Sequence, residues 1–196
     1  MRSLDSHPRG IAAVTAAMSI ERFASGLLLS LFVVYLNERW GFTPSRAAAC
    51  VGYFLAASYL TPLVGGLWCD RGLSPRTAGV LGCVAIALGY VTLLWAGSQP
   101  LFLGLGLLLF GSGLFRPGVQ LILDRLYAGA AQAAAASDPA PNSARPSQEE
   151  GYTLLHAFVN IGGMLAPLVS EALRARVDWS AVALLAVGCM GAVALL

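Results

Sequence analysis

Six long apolar segments limit this chain of 196 residues to one broad class of fold. Runs of about 20 predominantly apolar residues are long enough to cross a bilayer as α-helices. The mean hydropathy of +0.71, with 57% hydrophobic and 11% charged residues, fits membrane insertion. Because backbone polar groups find no water in the hydrocarbon core, spans of this length form helices. The sequence therefore predicts an all-α integral membrane protein.

The apolar segments also predict where the transmembrane helices lie. Six helices are expected, at about residues 11–36, 47–68, 77–95, 101–127, 152–173 and 179–196. The stretch 128–150 is rich in Ala, Ser and Pro and lacks apolar periodicity, so we expect a flexible loop there. The last segment ends without a charged flank, which leads us to expect a fragment, a truncated product or a true half-sized protein.

The arginine distribution predicts the orientation in the membrane, since cytoplasmic loops carry an excess of basic residues. A cytoplasmic N-terminus places six arginines inside and four outside. The inner set is Arg2, Arg9, Arg71, Arg76, Arg125 and Arg145, and the outer set is Arg39, Arg46, Arg174 and Arg176. We therefore expect a bacterial cytoplasmic (inner) membrane protein with its N-terminus and the long loop in the cytoplasm.

Charge and cysteine content argue against two other kinds of partner. A net charge of +2 is small for a chain that binds nucleic acid. The four cysteines show neither a C-x-x-C pair nor the Cys/His spacing of a metal site, so we expect no metal and no cofactor.

Two adjacent charges, Glu21 and Arg22, lie inside the first apolar segment. At about 1.5 Å per residue from Ile11, Glu21 lies about 15 Å along the helix, near the middle of a hydrocarbon core about 30 Å thick. A charge at that depth costs at least about 2.5 kcal/mol, so both residues should face the bundle interior or a watery cavity. They form either a structural ion pair or a proton or substrate site, and intramembrane ionisable groups favour the second interpretation.

Polar residues also interrupt the fourth and fifth segments. Arg116 precedes Pro117, which leaves the carbonyl four residues earlier without its helical partner. We expect Arg116 to hold a carboxylate, either that of Glu21 or that of a solute. His156 and Asn160 are four residues apart and so share a helix face. His156 either relays protons or forms an interhelical hydrogen bond.

Four stretches resemble the proton-dependent oligopeptide transporters, a family of the major facilitator superfamily. The stretch "YLTPLVGGLWCDRGLSPR" is close to the superfamily pattern G-G-x-x-x-D-R-x-x-x-R through Gly65, Gly66, Asp70, Arg71 and Arg76. "ERF", "GSGLFRPGVQLILDRLY" and "HAFVNIGGMLAPL" resemble the family's motifs in helices one, four and five, in the right order. The resemblance covers nearly the whole chain and implies the N-terminal six-helix half of a major facilitator fold.

The resemblance implies a role for individual residues. Glu21 and Arg22 match the end of the family's E-x-x-E-R-F motif, which is implicated in proton coupling and in holding the peptide carboxylate. Substrate binding is implied for Arg22, Tyr59, Arg116 and Asn160, and His156 is a further candidate for proton coupling. The glycines and charges of the loop motif, Gly65, Gly66, Asp70, Arg71 and Arg76, are implied to steady the outward-facing state as gate residues.

The chain also departs from the family's pattern. Met18 stands where the motif has its first Glu, and Ser25 and Gly26 stand where two Tyr usually follow. Arg116 replaces a Lys, and a guanidinium stays protonated where a buried Lys can release its proton. These differences predict a changed cargo or an altered proton coupling.

Together these observations predict a proton-coupled symporter of di- or tripeptides or peptide-like solutes that works by alternating access. Protons are the coupling ion, and no bond in the cargo changes, so no enzymatic activity is expected. The expected partners are the solute, the bilayer, and the missing C-terminal six-helix half or a partner subunit. Two alternatives stay open: a non-transporting six-helix subunit or relic, and a major facilitator exporter of drug-like solutes.

Overall fold

The computed structural model describes Pro8 and residues 10–95, 98–137 and 148–196. These residues form six helices: α1 Ile11–Trp40, α2 Pro44–Asp70, α3 Pro75–Thr92, α4 Ser98–Ser137, α5 Gln148–Arg176 and α6 Trp179–Ala194. Five helices are long and apolar enough to cross a membrane, and α6, with 16 residues, is a shorter apolar helix. The predicted fold class, an all-α membrane protein with six helices, is confirmed.

Local sequence signals explain where several helices begin and end. Thr43 and Ser74 cap α2 and α3, each accepting a hydrogen bond from the backbone N–H three residues later, and a proline follows each cap. Gly41 ends α1 in the left-handed conformation, with φ at 65°. The short polar breaks that separate the first three apolar segments are therefore tight helix–helix connections.

The predicted loop 128–150 is wrong at both ends. Helix α4 continues to Ser137, and α5 already begins at Gln148. The run "AGAAQAAAAS" consists mostly of alanine, the residue with the highest helix propensity, and this local preference outweighs the missing apolar periodicity. Residues 138–147 lie outside the described part of the chain, as do Arg2, Arg9 and Arg145, on which the predicted orientation depends.

Small residues let the helices approach closely around α1 and α4. Helix α1 packs against α5, α6 and α2, whereas α4 packs against α3, α2 and α1. A Cβ atom on Gly82 of α3 would lie 2.7 Å from the Gly111 carbonyl oxygen of α4, and one on Gly162 of α5 would lie 2.5 Å from the Ser19 carbonyl oxygen of α1. These contacts bring backbones together as in other membrane bundles.

A polar cluster joins three helices at the end of the bundle where α1 stops. Arg174 of α5 donates to Glu38 of α1 at 3.1 Å and to Glu171 at 2.9 Å. Trp179 of α6 donates its indole N–H to Glu38 at 3.1 Å, and the Arg174 guanidinium lies 6.0 Å from the indole ring. We call Glu38, Glu171, Arg174 and Trp179 the outer cluster. These residues join the C-terminal ends of α1 and α5 to the start of α6.

Substitution of the two glycines of the loop motif by alanine is expected to affect stability in opposite directions. Any Cβ on Gly65 would collide with the Gly113 carbonyl of α4, whereas one on Gly66 would meet nothing within 4 Å. We expect Gly65→Ala to lower the free energy of unfolding by about 1–3 kcal/mol, because α2 and α4 must move apart. We expect Gly66→Ala, the matched control, to be neutral or to stabilise by up to about 1 kcal/mol through helix propensity.

Thermal unfolding of the purified chain in detergent, followed by tryptophan fluorescence, measures both variants. Equal unfolding temperatures for the two variants would contradict the close α2–α4 contact.

Candidate functional site

A cavity of about 160 Å³ lies between α1, α2, α3 and α4. Three of its lining residues are charged, namely Glu21, Arg22 and Arg116. Five carry hydroxyl groups, namely Ser25, Ser58, Tyr59, Tyr90 and Ser112, and the others are apolar. The structure thus brings together four of the residues singled out in the sequence, Glu21, Arg22, Tyr59 and Arg116.

Glu21 and Arg116 form an ion pair across this cavity. Nη2 of Arg116 donates to Oε1 of Glu21 at 3.2 Å. The Glu21 side chain is 3% exposed and the Arg116 side chain 22% exposed, so the carboxylate is enclosed while the cation borders the cavity. The Nε of Arg116 is buried and has no hydrogen-bond partner in the part of the chain that the structure describes. The contact joins one guanidinium nitrogen to one carboxylate oxygen and leaves the bidentate geometry of the strongest Arg–carboxylate pairs unused.

Arg22 also lines the cavity but has no carboxylate partner within 4.0 Å in the described part of the chain. Its side-chain carbons pass over Gly163 of α5, where an added Cβ would lie 3.5 Å from Cγ. The absence of a side chain at Gly163 therefore leaves room for the arginine stem. One carboxylate and two guanidinium groups give the cavity an excess of one positive charge, which suits an anionic ligand.

Tyr59 forms the edge of the cavity on α2. It is 79% exposed although it lies within a helix of mean hydropathy 1.6. A phenol offers both an apolar ring and a hydrogen-bonding hydroxyl to a ligand.

The fifth helix places its two predicted site residues outside the cavity lining. His156 and Asn160 are both exposed on α5. The His156 ring stacks on Tyr152, with centroids 6.3 Å apart, and the Tyr152 hydroxyl donates to Asp124 of α4 at 2.8 Å. The face that carries His156 is therefore turned towards α4. Asp124 also accepts a hydrogen bond from the Gln148 side chain, at 2.7 Å.

The loop motif lies at the connection between α2 and α3. Asp70 is the last residue of α2, Arg71 is its C-cap, and Arg76 belongs to the first turn of α3. Gly72 makes the turn with φ at 113°. All three charged side chains are exposed, and within the described residues none has an ion-pair partner within 4.0 Å. Gly65 serves the α2–α4 contact, and Gly66 has open space beside it.

The sequence did not identify several residues of the cavity wall. Ser58 and Tyr90 belong to no motif, and Ser112 lies within the stretch "GSGLFRPGVQLILDRLY" but was not among the predicted site residues. The apolar helices around them give no periodic signal that marks their face. No group of three or more His, Cys, Asp or Glu residues that would suit a metal ion occurs among the described residues.

Comparison with known proteins places this geometry in context. No family model matches the chain. The peptide transporter YePEPT of Yersinia enterocolitica subsp. palearctica serotype O:3 (strain YE-P4) is 27% identical over 186 residues, which are 91% of this chain and 34% of the relative. Dipeptide and tripeptide permease A of Salmonella typhi is 29% identical over 173 residues, which are 87% of this chain and 32% of the relative.

The fold matches a solved transporter as well. A POT family transporter in complex with 5-aminolevulinic acid superimposes with a TM-score of 0.83 at 22% identity, covering 98% of this chain and 38% of that protein. The chain spans about one third of the length of the curated relatives that it matches. The resemblance indicated by the motifs is therefore confirmed: over about nine-tenths of its length, this chain is similar in sequence to a peptide transporter and to a dipeptide and tripeptide permease, and its fold is similar to that of a POT family transporter.

Proposed function

We propose that this chain is the N-terminal six-helix half of a proton-coupled symporter of di- or tripeptides or peptide-like solutes. The observation that carries the proposal is the enclosed Glu21–Arg116 pair beside the guanidinium of Arg22, which has no carboxylate within 4.0 Å among the described residues. The names of the two relatives, a peptide transporter and a dipeptide and tripeptide permease, support peptides as the cargo.

The charges of the cavity suggest how protonation and solute binding are coupled. A carboxylated solute binds Arg22 and competes with Glu21 for Arg116. Protonation of Glu21 removes its charge and weakens its hold on Arg116. Both steps are changes of charge pairing at low dielectric, where such interactions are stronger than in water. Tyr59 and Asn160 are proposed to contact the solute.

Transport by this route requires a second contributor to the cavity. Alternating access moves two halves against each other around a site at the bilayer midplane. Tyr59 at the cavity edge is 79% exposed, and only 6% of the most apolar window of α2 is buried, so this face is open to a partner. The proposed partner is a C-terminal half or a separate subunit. The proposed location is a bacterial inner membrane with the N-terminus inside, and the proposed gate comprises Gly65, Gly66, Asp70, Arg71 and Arg76.

A second candidate function is a six-helix subunit that does not itself transport. Met18, at the place of the motif's first Glu, is buried in the core and 6% exposed. Helix α1 therefore presents a single carboxylate to the cavity. Loss of one titratable group of the motif is what a chain without proton coupling would show.

Removal of the Glu21 charge should separate proton coupling from solute binding. We expect Glu21→Gln to lower proton-driven uptake of a labelled dipeptide at least tenfold, because the amide accepts no proton, while dipeptide exchange without a pH gradient persists. Proteoliposomes that contain the protein encoded by the complete reading frame, with an imposed pH gradient, measure both activities. Glu38→Gln in the exposed outer cluster is the matched control. Proton-driven uptake retained in Glu21→Gln would contradict the role of Glu21, and an inactive wild type would favour the subunit.

Arg22 should recognise the carboxylate end of the solute. We expect Arg22→Gln to weaken competition by a free dipeptide about 10- to 100-fold, since a hydrogen bond to a charged group contributes about 1.5–3 kcal/mol. The same dipeptide with an amidated C-terminus should lose little. Competition for uptake measures both ligands, and Arg46→Gln, which changes an exposed arginine, is the control. Equal losses for acid and amide would contradict this role.

His156 is proposed as a second titratable group of the coupling path. We expect His156→Ala to alter the pH dependence of uptake, because the imidazole beside Tyr152 then no longer exchanges a proton. Uptake measured at a series of external pH values tests this role, and an unchanged profile contradicts it.

A further inference from the structure

Tyr90 is a buried tyrosine of α3 that none of the proposed transport steps uses. It is 2% exposed and lines the cavity of Glu21 and Arg116. Its hydroxyl donates a hydrogen bond of 2.8 Å to the backbone carbonyl of Ala24 on α1. Ala24 follows Glu21 by less than one helical turn. The bond therefore fastens α1 to α3 beside the enclosed carboxylate.

The Ala24 carbonyl oxygen does not depend on the Tyr90 hydroxyl for a hydrogen-bond partner. Within an α-helix it already accepts the N–H of the residue four positions later. The tyrosine bond therefore satisfies a buried phenol and fixes the distance between two helices, without capping an orphan backbone group. Removal of the Tyr90 hydroxyl is therefore expected to change the position of α1 against α3 without removing a backbone hydrogen bond of α1.

Tyr90 also separates two cavities. A second, smaller cavity of about 20 Å³, enough for one water molecule, lies between α1, α3 and α6. Leu28 and Tyr90 line both cavities. The smaller cavity is also lined by the exposed residues Arg39 and Ser180. Leu28 and Tyr90 therefore stand between this exposed end of the bundle and the wall around Glu21.

Ionisable groups from three other helices surround the phenol. Glu21 of α1, Arg116 of α4 and Cys189 of α6 all lie within electrostatic range of Tyr90. Arg22 of α1 lines the same cavity. Tyr90 therefore lies between the charged groups of the site and the smaller cavity.

We infer that Tyr90 is a positioning residue that holds α1, and with it Glu21, against Arg116 and closes the cavity wall beside them. The Glu21–Arg116 contact is a single one at 3.2 Å, the long end of the hydrogen-bond range, so a shift of α1 by about 1 Å breaks it. On its other side α1 is held by α5, through the close approach of Gly162 to Ser19 and a 2.9 Å hydrogen bond between Ser30 and Ser170.

The chain offers a matched control for the hydroxyl of Tyr90. Tyr35 of α1 is 4% exposed and donates a 3.0 Å hydrogen bond to the Leu93 carbonyl of α3, so it joins the same two helices in the opposite direction. It lies about 20 Å along α1 from Glu21. Leu93 is the C-cap of α3, beyond the last turn, so its carbonyl depends more on this donor than Ala24 does on Tyr90.

Infrared difference spectroscopy of the purified chain in lipid nanodiscs tests the inference without transport. Comparison with Glu21→Gln identifies the carboxyl band of Glu21. We expect Tyr90→Phe to shift or broaden this band, because the carboxylate no longer has one fixed partner. We expect Tyr35→Phe to leave the band unchanged although it lowers the unfolding temperature more than Tyr90→Phe does. An unchanged band in Tyr90→Phe, or an equal shift in both variants, would overturn the inference.

Proteoliposome uptake then relates this position to coupling, a step that rests on the proposed function. We expect Tyr90→Phe to lower proton-driven uptake at least fivefold while exchange without a gradient stays within twofold of the wild type. Tyr35→Phe should leave both rates within twofold. A band shift together with an inactive wild type would retain the positioning role and reject the transporter. Unchanged proton-driven uptake in Tyr90→Phe, with an active wild type, would overturn the positioning role.

Discussion

The contact between Glu21 and Arg116 is the interaction on which the organisation of this bundle depends. A charge at membrane depth costs at least about 2.5 kcal/mol, so neither residue is tolerated there without a partner or water. The pair satisfies the carboxylate almost completely, at 3% side-chain exposure, while the guanidinium keeps access to the cavity. With Arg22 beside it, the cavity retains one uncompensated positive charge. This excess of positive charge is the feature from which an anionic solute is proposed.

The rest of the bundle holds α1 in place through contacts along the length of α5. At one end the outer cluster joins α5 to α1 and α6, and near its first turns α5 binds α4 through hydrogen bonds from Gln148 and Tyr152 to Asp124. Between these ends, Gly162 and Gly163 allow α1 to lie directly against α5 and leave room for the Arg22 stem. Backbone contacts and end clusters thus fix α1 against α5, while the Glu21–Arg116 pair and the Tyr90 hydrogen bond connect α1 to α4 and α3.

Hydropathy predicted the six helices well because each apolar run is a local signal, although it did not identify the caps that start α2 and α3. Thr43 and Ser74, each followed by proline, end the polar breaks where the structure begins α2 and α3. The loop prediction failed at 128–137 because the high helix propensity of alanine, which also acts locally, outweighs the missing apolar periodicity. The site was only partly predictable. Charges in apolar runs pointed to Glu21, Arg22 and Arg116, whereas the position of Tyr90 depends on how α3 is rotated against α1, which tertiary packing decides.

Several polar side chains stay exposed within the apolar helices α2 and α5. Tyr59, His156 and Asn160 all lie on the described surface of α2 and α5, within apolar helices. Lipid tails offer no hydrogen-bonding partner to an imidazole or a carboxamide, so such groups face protein or a water-filled space. In the cavity of Glu21 and Arg116, the arginine side chain is 22% exposed and the glutamate only 3%, so the cation of the pair borders the cavity while the carboxylate is enclosed. Under the proposed function, this pair occupies Arg116 until a carboxylated solute or a proton on Glu21 releases it.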